Sequence, residues 1–192
     1  MDSGREASLI ALGASTGGPQ ALADVVASFP AELCAAVVIV QHISADFAPS
    51  LVECLQQRAR LPVRLALGGD CPLGGEILVA GSNDHLVLGK DRRFSYTTEP
   101  MDYPYRPSVD VLFASLAAHW PKPGVAVLLT GMGADGARGL LQLRQAGWFT
   151  LAQDQSSCVV YGMPQAAAQL GAACQILPLP RLARAILERL GH

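Results

Sequence analysis

The sequence has few aromatic residues and few charges, and neither sign of charge predominates. Aromatic side chains make up 6% of its 192 residues and charged side chains 16%, with a formal net charge of -2 at pH 7. Domains that bind nucleic acid carry an excess of Lys and Arg, so this balance excludes nucleic acid as an expected partner. The apolar fraction of 51% excludes a disordered chain.

Cysteine is scarce, and no long apolar run occurs. The cysteines are odd in number and never form a Cys-x-x-Cys pair, which argues against a disulfide framework and a zinc site. No apolar stretch approaches the ~20 residues needed to span a bilayer, and the polar first residues do not resemble a signal peptide. We therefore expect reduced thiols, a cytoplasmic protein and no direct membrane insertion.

Short β-branched runs alternate with amphipathic segments of helical length. Strands are predicted at residues 9–12, 37–40, 63–67, 77–80, 125–130, 149–152 and 175–177, and helices at 20–28, 48–59, 108–120, 136–146, 164–170 and 180–190. This order is typical of βα units on a parallel sheet, and continuous apolar runs fit strands covered on both faces. The sequence predicts an α/β fold, a three-layer doubly wound sandwich with a mainly parallel sheet, and a single domain over residues 1–192.

Residues 73–97 depart from this alternation. Runs at 76–80, 85–88 and 94–97 are separated by turn-forming residues at 81–84 and 89–91. Closely spaced short strands joined by such turns predict a small antiparallel meander attached to the main sheet.

Three predicted strand ends carry reactive side chains. Ser15 lies in a Gly-rich turn, His42 directly follows the second strand, and Asp135 lies in a second Gly-rich segment. Because the carboxyl ends of parallel strands meet at one edge of a sheet, we expect these side chains to converge there. A serine becomes a nucleophile when an imidazole takes its proton and a carboxylate orients that imidazole, so the arrangement points to acyl transfer.

Each of these residues also has a structural interpretation. Ser15, Thr16 and Asp135 are typical N-caps of the helices that follow them, and a histidine at a strand end is often structural. No equally placed serine accompanies the other histidines, which are His85, His119 and His192. Rivals for the carboxylate role remain at Asp46, Asp84 and Asp154.

Five segments resemble the catalytic domain of the CheB family of chemotaxis protein-glutamate methylesterases. They are residues 13–18, 40–42 with Phe47, 106–113, 129–137 and 152–164, in the order that the family has them. The resemblance implies hydrolysis of glutamate methyl esters on the cytoplasmic domains of methyl-accepting chemoreceptors, with release of methanol. It also implies deamidation of receptor glutamines by some members.

The resemblance also assigns roles to residues of this sequence. It places the nucleophile at Ser15, the base at His42 and the orienting aspartate at Asp135. Backbone groups near Thr16 and Met132 would stabilise the oxyanion. No metal or organic cofactor is implied, and separate response-regulator or chemosensory proteins would be additional partners.

The N-terminus departs from the family pattern. Family members usually carry a phospho-accepting receiver domain before the esterase, whereas here residues 1–8 precede the first predicted strand. We therefore expect a catalytic domain without a receiver, with high basal activity that a phosphodonor does not change.

Two other functions remain open from the residues alone. A Gly-rich turn after the first strand is also found in nucleotide-dependent oxidoreductases, but this turn lacks GxGxxG spacing, and Gln41 and His42 stand where an acidic residue would hold the ribose. The second alternative is a non-catalytic module that docks on a receptor.

Overall fold

The computed structural model describes residues 8–191. Within that range, seven strands form one sheet in the order β3-β4-β2-β1-β7-β8-β9, and all of its pairings are parallel. A separate antiparallel pair, β5-β6, stands beside it. Strands β1 to β9 are Leu9–Ala14, Ala36–Gln41, Val63–Leu65, Ile77–Val79, His85–Leu88, Phe94–Thr97, Val125–Leu128, Phe149–Gln153 and Gln175–Leu177. The first seven residues of the predicted single domain, and His192, lie outside the described residues.

Helices cover both faces of the parallel sheet. Helices α1 to α6 are Gly18–Ala27, Ala48–Gln56, Val109–His119, Ala137–Gln145, Met163–Gln169 and Leu179–Leu190, with short 3-10 helices at Ala45–Phe47 and Gln155–Ser157. The longest of these, α6, has 12 residues. No helix found between residues 8 and 191 has the length and apolar character needed to cross a membrane.

The core is divided into two layers by the sheet. Ile10 and Leu12 pack with α1, α2 and α6, whereas Leu9 and Ala11 pack with α3, α4 and α5. Successive side chains of a strand point to opposite faces, so a strand with helices on both sides must be apolar at every position. Strand β1 is accordingly buried at all 6 positions. The predicted three-layer α/β sandwich is confirmed.

The antiparallel part is smaller than the predicted meander. Ile77–Val79 does not join it but pairs in parallel with β2 and β3 inside the main sheet. The reason is burial: this strand is apolar and buried at every position, as a strand covered on both faces requires. Only β5 and β6 form the antiparallel pair within residues 8–191, and they pack on α3, where Leu88 N donates to Ser115 Oγ at 2.9 Å.

Helices α3 and α4 approach each other closely at Gly139. A Cβ atom at this position would lie 2.7 Å from the Phe113 Cβ and 2.9 Å from the Asp110 carbonyl oxygen. The Gly139 N–H donates to Asp110 Oδ1 at 2.6 Å. This contact holds the N-terminal halves of both helices together at the edge of the sheet where the reactive side chains lie.

We expect Gly139→Ala to destabilise the fold although Ala is the better helix former by about 1 kcal/mol. The added Cβ would force backbone atoms of α3 and α4 apart, at a cost of roughly 1–3 kcal/mol in the free energy of unfolding. Urea denaturation measures this change. Gly68→Ala is the control, because apart from Gly68 and its two chain neighbours no heavy atom of the described residues lies within 4 Å of a Cβ there. A Gly139→Ala protein as stable as wild type would contradict the packing described.

Candidate active site

The ends of β1, β2 and β7 are joined by backbone hydrogen bonds just beyond the last paired residues. His42 N donates to the Ala14 carbonyl at 3.0 Å, and Ser15 N donates to the Thr130 carbonyl at 3.0 Å. Ser15 and His42 therefore leave neighbouring strands at the same level of the sheet. Asp135 reaches this edge from the loop between β7 and α4.

The imidazole of His42 contacts the carboxylate of Asp135. His42 Nε2 lies 2.6 Å from Asp135 Oδ2, and the two side chains are 9% and 1% exposed. An ionised carboxylate can only accept, so Nε2 is the donor in this contact, and in the neutral tautomer of the ring the lone pair is then on Nδ1. In the described part of the chain Nδ1 is buried and has no hydrogen-bond partner. The nitrogen available to take a proton is therefore Nδ1.

The N-terminus of α3 surrounds the Asp135 carboxylate with donors. Val109 N and Asp110 N donate at 2.7 and 3.0 Å. The Ser108 hydroxyl donates at 2.7 Å. Burial raises the pKa of Asp135, but hydrogen bonds from His42 and Ser108 and from a backbone N–H outweigh burial and hold that pKa below its usual value. Asp135 is therefore ionised at neutral pH.

A second buried carboxyl, Asp110, lies in the same turn of α3. It accepts from the Tyr103 hydroxyl at 2.5 Å and from the Gly139 N–H at 2.6 Å. Burial raises the pKa of Asp110, the two hydrogen bonds oppose that shift, and the charge on Asp135 adds to it, so the net direction is upward. The contact with Tyr103 ties residues 100–107 to the first turn of α3.

This loop places an aromatic ring on His42. The Tyr105 and His42 rings stack with centroids 4.4 Å apart and planes 4° from parallel. A Cβ atom at Gly133, where φ is +86°, would lie 2.6 Å from the Tyr105 hydroxyl oxygen, so a glycine is needed there. Beside the stack, a pocket of about 320 Å³ opens between Tyr103, Asp135 and Arg138.

His85 contacts the residue that precedes α3. It is fully buried, its Nδ1 accepts from Ser108 N at 3.1 Å, and its Nε2 lies 3.3 Å from the Pro100 carbonyl. The ring thereby holds the residue that caps α3 and donates to Asp135. Neither composition nor spacing points to His85 or Tyr105. Ser108 carried a signal, because it falls in the segment at 106–113 that resembles the CheB family.

The turn after β1 presents Ser15 to the same edge. Gly18 N donates to the Ser15 carbonyl at 2.8 Å, and Gly17 has φ +79°. Across the described residues, neither the Ser15 hydroxyl nor the N–H groups of Thr16 and Met132 have a hydrogen-bond partner. The edge therefore brings together an unengaged hydroxyl, an imidazole lone pair and two unengaged backbone donors.

The structure also tests the N-cap interpretation of Ser15, Thr16 and Asp135 and the rival carboxylates. Gly17 and Gly136 are the N-caps of α1 and α4, so Ser15, Thr16 and Asp135 do not cap the helices that follow them. Asp135 instead binds the N-terminus of α3. Of the rival carboxylates, Asp46 is exposed on the 3-10 helix Ala45–Phe47, and Asp154 accepts from Ser156 and Ser157. It is Asp135 that contacts the His42 ring.

We expect the stabilising effect of Asp135 to disappear in acid. Because its pKa is lower in the folded state, its contribution is present above its ordinary pKa of about 3.9 and is lost as the pH falls through the lowered value. Asp135→Asn should thus reduce the free energy of unfolding by roughly 1–3 kcal/mol at pH 7 and by less at about pH 3. Urea denaturation at both pH values measures this difference.

The control is Asp46→Asn, which removes an exposed carboxylate on the 3-10 helix Ala45–Phe47. A deficit in Asp135→Asn that stayed constant between the two pH values would contradict the donor shell assigned to Asp135.

Comparison with known proteins gives a consistent result. The family model described as CheB methylesterase matches residues 10–186. A protein-glutamate methylesterase/protein-glutamine glutaminase 2 of Cupriavidus metallidurans is 51% identical over 183 residues, which are 95% of this chain and 54% of that protein. A similarly named protein 3 of Pseudomonas aeruginosa is 51% identical over 180 residues, 94% of this chain and 54% of its own length. The chain spans about half the length of the curated relatives it matches.

A solved structure shares the fold. The crystal structure of the Thermotoga maritima CheB methylesterase catalytic domain superposes with a TM-score of 0.90 at 30% identity, covering 96% of this chain and 99% of that one. The resemblance read from five sequence segments is confirmed by these matches.

Proposed function

The chain belongs to the CheB methylesterase family, and on that premise we propose that it hydrolyses methyl esters of protein glutamate side chains through Ser15, His42 and Asp135. The observation that carries the proposal is the buried contact between His42 Nε2 and Asp135 Oδ2, next to the turn that presents Ser15. The substrates proposed are the cytoplasmic domains of methyl-accepting chemoreceptors. The relatives' names support a glutamine side chain as a second substrate.

Acylation uses the tautomer that Asp135 imposes. The Ser15 oxygen attacks the ester carbonyl carbon while its proton passes to His42 Nδ1, and Asp135 stabilises the imidazolium formed. The tetrahedral intermediate then expels methoxide, which takes that proton and leaves as methanol. Water attacks the acyl-enzyme by the same route, giving its proton to Nδ1. The ester bond to Ser15 then breaks, and its oxygen takes the proton back from Nδ1, which restores the hydroxyl; the glutamic acid released ionises to the carboxylate.

The N–H groups of Thr16 and Met132 are the proposed oxyanion donors. Thr16 follows the nucleophile and directly precedes the N-terminus of α1, where backbone N–H groups and the helix dipole favour negative charge. Met132 follows Gly131, whose Cα lies against Ser15: a Cβ at Gly131 would be 2.7 Å from the Ser15 Cβ. Donors already fixed in place stabilise the transition state without reorganisation.

A protein substrate is supported by the surroundings of this edge. Phe47 and Met132 follow β2 and β7 and are 62% and 64% exposed, and Val159, which packs on Gly17, is 71% exposed. Large apolar side chains exposed around a polar site are typical of surfaces that contact another protein. The oxidoreductase alternative is disfavoured, because the Gln41 amide donates to two backbone carbonyls and offers no acidic group for a ribose.

We expect Ser15→Ala and His42→Ala each to lower methanol release from a methylated receptor by at least about 10³-fold, because members of a triad act as a unit. Ser28→Ala and His119→Ala are the controls: these residues lie at the C-terminal ends of α1 and α3, whose N-termini are at this edge, and both variants should keep wild-type rates. Circular dichroism establishes that each variant is folded. A folded Ser15→Ala protein with wild-type turnover would show that the nucleophile is another residue.

Asp135→Asn should lower kcat by about 10³- to 10⁴-fold with little change in KM, because Asn can no longer impose the required tautomer on His42. Asp46→Asn and Asp154→Asn should have much milder effects. Steady-state kinetics on the methylated receptor, or on p-nitrophenyl acetate, separates kcat from KM. The assignment fails if either control variant loses as much activity as Asp135→Asn.

A further inference from the structure

Gln41 is a buried amide at the end of β2 that the reaction described above does not use. It is 3% exposed, and its Nε2 donates to the Ser15 carbonyl at 2.8 Å and to the His42 carbonyl at 3.2 Å. Because both partners are acceptors, the orientation of the amide is determined. Its Oε1 is buried without a hydrogen-bond partner in the part of the chain that the structure describes.

The contact with the Ser15 carbonyl fixes the direction of a neighbouring N–H group. The Ser15 oxygen accepts from Gln41 Nε2 and from Gly18 N, both at 2.8 Å. In a trans peptide the C=O and N–H of one planar unit point in opposite directions. Two donors on the Ser15 oxygen therefore point the Thr16 N–H the other way, out of the turn.

Stability alone does not account for this glutamine. An unsatisfied buried acceptor such as Oε1 is unfavourable, and departures of this kind concentrate at functional sites. The fold also makes room for the amide, since a Cβ at Gly18 would lie 2.0 Å from Oε1. The hydrogen bond from Gly18 N to the Ser15 carbonyl already closes the turn. The additional hydrogen bond from Gln41 to the same carbonyl therefore serves to connect the turn to β2.

We propose that Gln41 is a positioning residue that orients the Thr16 N–H toward the oxyanion formed at Ser15. The inference rests on the proposed function of the site. Gln41 does not contact the reacting atoms, and its effect is transmitted through the Ser15–Thr16 peptide. An oxyanion donor stabilises the transition state only when it lies at hydrogen-bond distance from the developing charge, so a peptide free to rotate would lose that stabilisation.

The test compares Gln41→Met, which keeps the length of the side chain but lacks a donor, with wild type in hydrolysis of p-nitrophenyl acetate. We expect kcat to fall about 10- to 100-fold, because loss of an oxyanion donor itself costs 10²- to 10³-fold. KM should stay within about twofold, and the pH dependence of kcat/KM, which reports the catalytic base, should not move. Inhibition by a trifluoromethyl ketone, which forms an oxyanion with the enzyme, should weaken in parallel with kcat.

Gln56→Met is the matched control. The Gln56 amide also bonds backbone groups, the Leu61 carbonyl at 3.3 Å and Val63 N at 2.8 Å, but it lies on α2 away from the site. It should keep wild-type kinetics. Gln41→Glu is the second variant: it keeps the shape of the side chain and replaces the donor with an oxygen, so it should lose at least as much activity as Gln41→Met.

Several outcomes would overturn the inference. These are a kcat within threefold of wild type, a raised KM with unchanged kcat, a shifted pH profile, and failure of both Gln41 variants to fold, which would make the residue structural. If only Gln41→Met fails to fold, Gln41→Glu decides. Ser15→Ala in the same assay tests the proposed function separately from the role of Gln41. If Ser15→Ala is inactive, Ser15 is supported as the nucleophile whatever the Gln41 variants do. If Ser15→Ala retains activity, the proposed function itself is refuted.

Discussion

A carboxylate buried in a protein is stable as an ion only where donors surround it, and the rest of this site is arranged around that requirement at Asp135. Its oxygens accept from the N-terminus of α3, from the Ser108 hydroxyl and from His42. The first two contacts fix where α3 begins relative to β7. The third fixes the tautomer of His42. The charge on Asp135 therefore links the position of α3 to the tautomer of the His42 imidazole.

The support for this charge extends well beyond the edge that carries Ser15 and His42. His85 in the β5-β6 pair holds the Ser108 backbone, and Asp110, in the first turn of α3, binds both Tyr103 and α4. Asp110 and Asp135 have pKa values shifted in opposite directions, although both are buried, because Asp135 receives more donors and the contact with His42. Asp135 therefore keeps its charge beside a second buried carboxyl, which connects α3 to Tyr103 and to α4.

The turn that carries Ser15 is held from both neighbouring strands. Gln41 at the end of β2 donates to the Ser15 carbonyl, and Thr130 after β7 accepts from Ser15 N and donates through its hydroxyl to the Thr16 carbonyl at 2.9 Å. The parallel sheet makes this arrangement available, since its central strands end side by side. Groups held by so many contacts are in place before a substrate binds, which is the condition for electrostatic stabilisation of a transition state.

The sequence by itself determined the order of strands and helices, the three-layer fold and the common edge of Ser15 and His42. It could do so because apolar periodicity and the geometry of parallel strands are local or nearly local properties. The tertiary structure decided which carboxylate meets His42, since Asp135 lies 93 positions away and spacing alone left Asp46, Asp84 and Asp154 as rivals of Asp135. It also placed Ile77–Val79 in the parallel sheet and not in the predicted meander, and it revealed the contacts of Gln41, His85 and Tyr105 with the site. These outcomes depend on packing between segments distant in sequence, which no local pattern of residues encodes.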